Sequence, residues 1–506
     1  MRFFSLRSRL YIFAACWLLA SAAQAQTTAS QLPLSGRSNN SGSVTASASA
    51  IPGTTTSVNT INTSVQASGP YSGSASSAAM PFSGRLSFKQ AIQRGLQYNL
   101  GAVGMNEAVR SANGQSRVAR SVLLPNLNSS LSETVQQTNL RAMGIRVTAP
   151  IPGFAIPSIV GPFNYFDLRA RLSQTVADVT AINNFRSARE TMKASQSTMR
   201  DARDLVVLAV GGAYLQVIAS KARVESARAQ LQTAEAQFKQ ASEQRAAGVL
   251  ALTDLNRSEI QVLTTRERVA SLENDYAKQK INLARLTGLP PTDGFELADN
   301  IPFSTAPAVE LSTALQEAFS QRADLQAAQA QIRAAEYTRS AARAERLPSL
   351  SVNADYGAIG TNPSQAHGTF SVVGTLRVPI WQGGRAEGDI EQADATLSQR
   401  KAELEDARSR VESDVRNAFL DLQTAAGQVE VARRNREVTR QTLELTRQRF
   451  DAGVTDSVEV IQAQESVASA DLDFINSVFS HNVAKLSLAR ATGNAAEKLS
   501  AFLNLQ

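Results

Sequence analysis

His367 and His481 are the only histidines of this chain, and Cys16 is its only cysteine. The two imidazoles lie far apart in sequence with no His-x-x-His or Glu-x-x-His spacing, so the common zinc patterns are missing. No glycine-rich phosphate loop and no serine elbow occurs. The chain is therefore expected not to be an enzyme, with no catalytic residue, metal or cofactor, and both histidines read as incidental. What remains for chemistry is a set of carboxylates placed near glycines: Asp254 follows Gly248, and Glu459 follows Gly453.

Those glycines open a stretch that occurs twice. Gly248-Val249-Leu250-Ala251-Leu252-Thr253-Asp254 begins the first copy, and Leu283-Ala284-Arg285-Leu286-Thr287-Gly288 ends it. Gly453-Val454-Thr455-Asp456 begins the second, and Leu488-Ala489-Arg490-Ala491-Thr492-Gly493 ends it. Subtracting 248 from 453, or 288 from 493, gives 205 in both cases, so the copies align without a gap. A repeat of this length implies two related halves. They are read at residues 86–290 and 311–495, with a linker at 291–310 and a tail at 496–506.

Residues 1–25 have the form of a secretory signal: early arginines, an apolar run from Leu10 to Ala20, and Ala23-Gln24-Ala25 as the cleavage site. The rival is a lipoprotein signal with Cys16 as the lipid-bearing residue. Phe13 at the first position of its box and the apolar run past Cys16 oppose that reading. Removing Arg2, Arg7 and Arg9 lowers the net charge from +7 to +4, too mild and too evenly spread to argue for nucleic acid. The cluster Arg433-Arg434-Asn435-Arg436 reads as a solvated helix face. Residues 26–85 are rich in Ser, Thr, Ala, Gly and Asn with almost no charge. Such a segment buries little, so a disordered leader is expected.

Each half starts with a helical pattern, from Leu86 towards Arg120 and from Leu311 to Arg346, and meets a proline at Pro125 or Pro348. The period then changes to two. Leu350, Val352, Ala354 and Tyr356 alternate with polar residues, as do Phe370, Val372, Gly374, Leu376, Val378 and Ile380. In the first half Phe166, Leu168, Ala170 and Leu172 alternate with Asp167, Arg169 and Arg171, and Leu127, Leu131 and Val135 mark a fourth strand. Alternation over about 10 residues suits a transmembrane barrel strand, and equally a half-buried soluble hairpin. The export signal and the lack of another place to bury the apolar faces favour the barrel. The first strand pair encloses a proline-rich loop near 149–162, the second a short one near 360–368, and both are assigned to the cell surface.

Long helices follow, with apolar positions at Val206, Val210, Ala213, Val217, Val224, Ala227, Leu231, Ala234, Phe238 and Ala241. The second half repeats them at Val411, Val415, Ala418, Leu422, Ala425, Val429 and Ala432. This heptad of small residues predicts close-packed, supercoiled rods of ~100 Å. The apolar stretch Leu205–Ala219 is too short and too well in phase to be a membrane helix. Four strands cannot close a barrel and open edges are not tolerated in lipid, so the chain must oligomerise.

The pattern resembles the TolC-like outer-membrane efflux proteins. The resemblance rests on Val378-Pro379-Ile380-Trp381-Gln382-Gly383-Gly384-Arg385, on Arg346-Leu347-Pro348-Ser349-Leu350, and on Arg449-Phe450-Asp451-Ala452-Gly453 with Val458-Glu459-Val460-Ile461-Gln462-Ala463-Gln464. It spans Leu86 to Gly493, although the first half has Thr175-Val176-Ala177-Asp178 in place of Gly-Gly-Arg. The resemblance implies a mainly α fold with membrane β: a homotrimer with one 12-stranded barrel in outer-membrane lipid, continued by a periplasmic α-helical barrel. It implies an exit duct joined through a periplasmic adaptor to an inner-membrane pump, conducting solutes passively. Gate and pore residues would be Asp254, Glu459, Gln462 and Phe450. Adaptor-docking tips would be Gly248, Val249, Leu250, Ala251, Leu252 and Thr253 in one half, and Gly453, Val454, Thr455 and Asp456 in the other. Phe450 and Thr455 supply neither a phenol nor an arginine, so a salt-bridge lock at the tip is not expected, and Phe450 is expected to pack. The alternative is a non-conducting periplasmic coiled-coil rod or adaptor.

Overall fold

The computed structural model describes residues 42–51, 60–75, 84–144, 157–291, 294–299, 303–304, 310–493 and 495–496. The signal segment, Cys16, most of the proline-rich loop and the tail beyond residue 496 lie outside them. The first half contains α1 (Phe88–Tyr98), α2 (Leu100–Ser121), β4 (Asn126–Asn139), β5 (Ile159–Ala177), α3 (Val179–Ala246) and α4 (Leu252–Thr287). The second contains α5 (Leu311–Gln321), α6 (Ala323–Ala344), β7 (Ser349–Gly360), β8 (His367–Arg377), α7 (Arg385–Asp451) and α8 (Ser457–Ala491). Ahead of them come β1 (Val44–Ile51), β2 (Thr60–Ala67) and β3 (Arg85–Leu86), while β6 (Glu296–Leu297) follows α4.

Strands β4, β5, β7 and β8 form one antiparallel sheet in that order. Its register sorts the side chains by face. One row reads Leu127, Leu172, Ala354 and Val372, and the next Ser129, Ala170, Tyr356 and Phe370. Phe370 is 79% exposed and Tyr356 69%, so this apolar face has no protein against it within the chain. The opposite face carries Arg169, which pairs with Asp167 at 3.3 Å and with Asp355, and donates to Thr369 Oγ1 at 3.4 Å. Gly357 allows β5 and β7 to approach closely beside this arginine, since a Cβ there would stand 2.6 Å from the Leu168 carbonyl and 3.2 Å from Arg169 Cβ. An apolar outer face and a polar inner face are what a membrane barrel requires. Both edges, β4 and β8, are unpaired among the described residues.

The long rods pack as their periodicity requires. Val206, Val210, Val217, Val224, Ala227 and Ala234 of α3 are buried, and so are all seven predicted positions of α7. Leu205–Ala219 is core rather than membrane span: Val206, Val207, Val210 and Val217 are fully covered by neighbouring elements. Gly288 and Gly493 end the return helices with φ of 72° and 81°, the left-handed cap.

Three expectations need correction. Each opening helix is two helices. Asn99 (ψ 132°) and Arg322 (ψ 123°) interrupt the helical backbone. Buried Asn99 accepts from the Gly101 amide at 2.9 Å and donates to the Tyr71 carbonyl at 2.9 Å, so the break is held by local hydrogen bonds. Strand β8 ends at Arg377 rather than Ile380, because Pro379 cannot continue a ladder, and Ile380 is left 96% exposed. The leader is not wholly disordered. β1 and β2 pair antiparallel from Val44↔Ala67 to Ile51↔Thr60 and lie against α3 and α8, and Tyr71 is buried beyond them. Gly212 makes this seat, since a Cβ there would meet Val65 at 2.6–2.9 Å.

His481 and Lys485 of α8 are fully buried. Burial, aided by the Lys485 charge, pushes the His481 imidazole down to about 4, and burial pushes Lys485 down to about 8. His481 packs on Phe303 with centroids 4.8 Å apart, and the Lys485 ammonium donates to the carbonyl and, at 2.8 Å, to the hydroxyl of Ser304. Both therefore fasten the segment between the halves.

Candidate pore and docking site at the helical tips

The two helical tips are built alike. Gly248 and Gly453 take φ of 75° and 71°, and a Cβ at either would meet nothing within 4 Å. Left-handed backbone, not packing, is what requires glycine here. The caps match bond for bond. Val249 N donates to Gln244 O at 3.0 Å and Val454 N to Arg449 O at 2.9 Å, while Gly248 N reaches Arg245 O and Gly453 N reaches Phe450 O. Val249 (78% exposed), Leu252 and Val454 project from the turns as apolar points among exposed Ala251, Thr253 and Asp456; Leu250 and Thr455 are half-buried.

Asp254 and Glu459 are repeat mates, 459 minus 254 giving 205, and so are Arg257 and Gln462. Their surroundings differ. Asp254 pairs with Arg257 at 3.0 Å and accepts from Ser457 Oγ at 2.8 Å, tying the first tip to the start of α8. Glu459 pairs instead with Arg449 at 3.3 Å, across its own turn, and both side chains are about half exposed. The Asp456 carboxylate caps α8, accepting from the Val458 and Glu459 amides at 3.1 and 3.2 Å. Arg245 braces the first tip by donating to Leu250 O at 3.1 Å. An ion pair therefore does occur at the second tip, supplied by Arg449 where the sequence reading looked only at 450 and 455.

Phe450 is half-buried and lines a groove of about 700 Å³ between the two hairpins, with Leu250, Asp254, Ser457, Val460 and Ile461. Gln462 is exposed on α8 beyond it. Above the groove the hairpins are joined by Glu465, which accepts from Gln261 at 2.9 Å and pairs with Arg268 at 3.2 Å. Asp471 takes Arg436 at 2.6 Å and Arg440 at 3.0 Å. Arg436 is thus not part of a freely solvated face, and its guanidinium lies 4.9 Å from the Phe474 ring centre. Arg449, Ser457 and Glu465 were absent from the sequence-based site. The offset of 205 already makes Asp254 and Glu459 mates, but ion pairs between hairpins depend on helix phase and cannot be read from spacing.

Residues 104–289 and 314–494 match the family described as "Outer membrane efflux protein". Over 293 residues the chain is 25% identical to the "Pyoverdine export outer membrane protein OpmQ" of Pseudomonas aeruginosa, covering 56% of this chain and 59% of that protein. The Pseudomonas putida protein of the same name is 24% identical over 222 residues, 42% of this chain and 46% of its own. The chain thus spans about half the length of the curated relatives it matches. A membrane protein from Pseudomonas aeruginosa has the same fold with a TM-score of 0.70 at 20% identity, covering 80% of this chain and 90% of that one. VceC from Vibrio cholerae does so with a TM-score of 0.67 at 18% identity, covering 80% and 96%. The Campylobacter jejuni CmeC outer membrane channel gives 0.69 at 16% identity, covering 83% and 90%. The family match covers well over half of the sequence, in both halves: the chain belongs to the outer membrane efflux protein family.

Proposed function

We propose that this protein is the outer-membrane exit duct of a tripartite efflux or secretion system, a homotrimer that conducts solutes passively from a periplasmic adaptor and inner-membrane pump to the exterior. The observation that carries it is the four-stranded sheet, apolar on one face, polar on the other and open at both edges. Three copies supply twelve strands, enough to close a barrel and remove every edge from lipid.

The repeat supports the same closure in the helices. Leu486 of α8 is buried on Gly211 of α3, and Leu215 of α3 is buried beside Phe479 of α8. Their repeat mates, Ile281 of α4 and Leu420 of α7, are 50% and 58% exposed. Val431, Val438 and Leu445 continue that exposed stripe on α7, and Ile260 and Leu263 the one on α4. Packing α4 of one protomer on α7 of the next repeats the α8–α3 contact and satisfies both stripes.

At the periplasmic end, three copies of Asp254 and Glu459 give rings of carboxylate that favour cations, with Phe450 and Gln462 beside them. The apolar points Val249, Leu252 and Val454 with the bare glycines form the surface that an adaptor hairpin approaches. A membrane-embedded barrel requires detergent for its release. Washing outer-membrane fractions with high salt and alkaline carbonate is expected to leave the protein in the pellet, and detergent to extract it as a trimer. Release by salt alone would mark a peripheral rod instead.

A further inference from the structure

The amino-terminal hairpin lies on the opposite face of α3 from a belt formed by α1 and β3, with α5 its counterpart in the second half. Gly95 of α1 sits against Val206 and Val210 of α3, and the Tyr214 hydroxyl donates to Leu86 O at 2.8 Å. Val65 of β2 sits against Gly212. At 100° per residue, Val210 and Gly212 point about 200° apart, so α1 with β3 covers one face of α3 and the hairpin the other. On α7, Asp414, Asn417 and Asp421, the mates of Ala209, Gly212 and Gln216, likewise line a cavity of about 270 Å³ with Val44–Ala48 of the hairpin.

At this height each protomer contributes four helix columns: α3, α7, α2 above α4, and α6 above α8. Gly288 at the end of α4 abuts Tyr98 at the α1/α2 junction, and Gly493 abuts Arg322 at the α5/α6 junction. Twelve columns spaced about 9 Å apart close a ring roughly 35 Å across their axes, leaving a bore of about 25 Å. The six helices contributed by three copies of α1 and α5, each about 10 Å thick, would fill that bore. The belt must therefore lie outside a conducting duct, and the hairpin inside it.

We infer that three copies of the β1–β2 hairpin line the duct at mid-height and set the size of solute it passes; this rests on the duct reading given above. A two-stranded ribbon with its side chains is about 10 Å thick, so three ribbons narrow the bore to roughly 5 Å when seated. The segment Val44–Ala67 contains no Asp, Glu, Lys or Arg. It therefore sieves by size and hydrogen bonding rather than by charge, in contrast to the carboxylates at the tips. The cargo it fits is small solutes, and folded polypeptides are excluded unless the hairpin is displaced.

The test is single-channel recording of the intact trimer in a planar bilayer, comparing the wild type, a deletion of residues 44–67, and Thr45→Cys. Thr45 is exposed on the hairpin. The expected result is a severalfold rise in conductance on deletion, and a stepwise fall in Thr45→Cys treated with a cationic methanethiosulfonate reagent. Thr45→Cys decides alone if the deletion does not assemble. A channel whose conductance ignores complete labelling of Cys at position 45 overturns the inference while leaving the duct in place. A folded, trimeric wild type that never conducts removes the duct reading and this inference with it.

Discussion

Aspartate at both Val438 and Leu445 is expected to abolish the trimer while leaving the protomer helical. These residues are 42% and 60% exposed on α7, on the stripe whose mates in the first half face α8. Within one chain both remain exposed at the surface, so their replacement changes the protomer little. In the ring they lie under α4 of the next protomer. Losing about 1 kcal/mol of burial at each of six positions removes roughly 6 kcal/mol from assembly, before the cost of desolvating carboxylates. Light scattering of the detergent-extracted protein is expected to change from trimer to monomer, with far-UV circular dichroism retained. Intact trimers of the double variant would show that α7 does not form the seam.

Arg322→Met is expected to destabilise the helical body by about 2–3 kcal/mol, because it strips charge-assisted hydrogen bonds from the partly exposed Asp324 and Asp414 carboxylates. The Arg322 side chain is almost wholly buried and holds Asp324 through two contacts at 3.1 and 2.6 Å and Asp414 at 2.8 Å. Desolvation pushes the Asp324 carboxyl up, but hydrogen bonding and charge from Arg322 outweigh it and hold the group below its ordinary value. In the wild type that stabilisation is present above the unfolded pKa of about 4 and is lost as pH falls through the lowered one. In the variant only the Arg490 charge and the Leu325 amide still oppose desolvation, so the folded pKa rises. Its deficit is then largest at neutral pH and shrinks on acidification. Thermal melts at several pH values check this, and adding Asp324→Asn is expected to recover part of the loss. A deficit independent of pH would assign the effect to packing rather than to the ion pairs.

The parts of this fold that were legible in the sequence share one property: a period imposed by a continuous element. The heptad from Val206 to Ala241 and the alternation from Leu350 to Tyr356 each reflect burial of one face, so α3 and β7 could be placed almost to the residue. The repeated glycines marked turns whose left-handed backbone few other residues adopt. What escaped depended on tertiary partners. Asn99 breaks a helix because Tyr71 O lies in reach of its side chain, and no local propensity foretells that. The leader alternates Val44, Ala46, Ala48 and Ala50 with Thr45, Ser47 and Ser49, a strand period hidden by weak hydrophobicity. It orders because Gly212 opens a seat for Val65 some 150 residues away, a number given by 212 minus 65 as 147. At the tips, the glycines and acids were visible, but the Arg449–Glu459 and Asp254–Ser457 contacts arise from how two hairpins face each other.

Single-channel conductance of the purified trimer, wild type beside Glu459→Ala, shows whether three copies of this chain enclose a gated pore. Small, cation-selective openings are expected in the wild type, and wider, less cation-selective ones once the carboxylate paired with Arg449 is gone. Conductance unaltered by the substitution would place the constriction elsewhere. A folded, trimeric protein that carries no current at all would not be a duct.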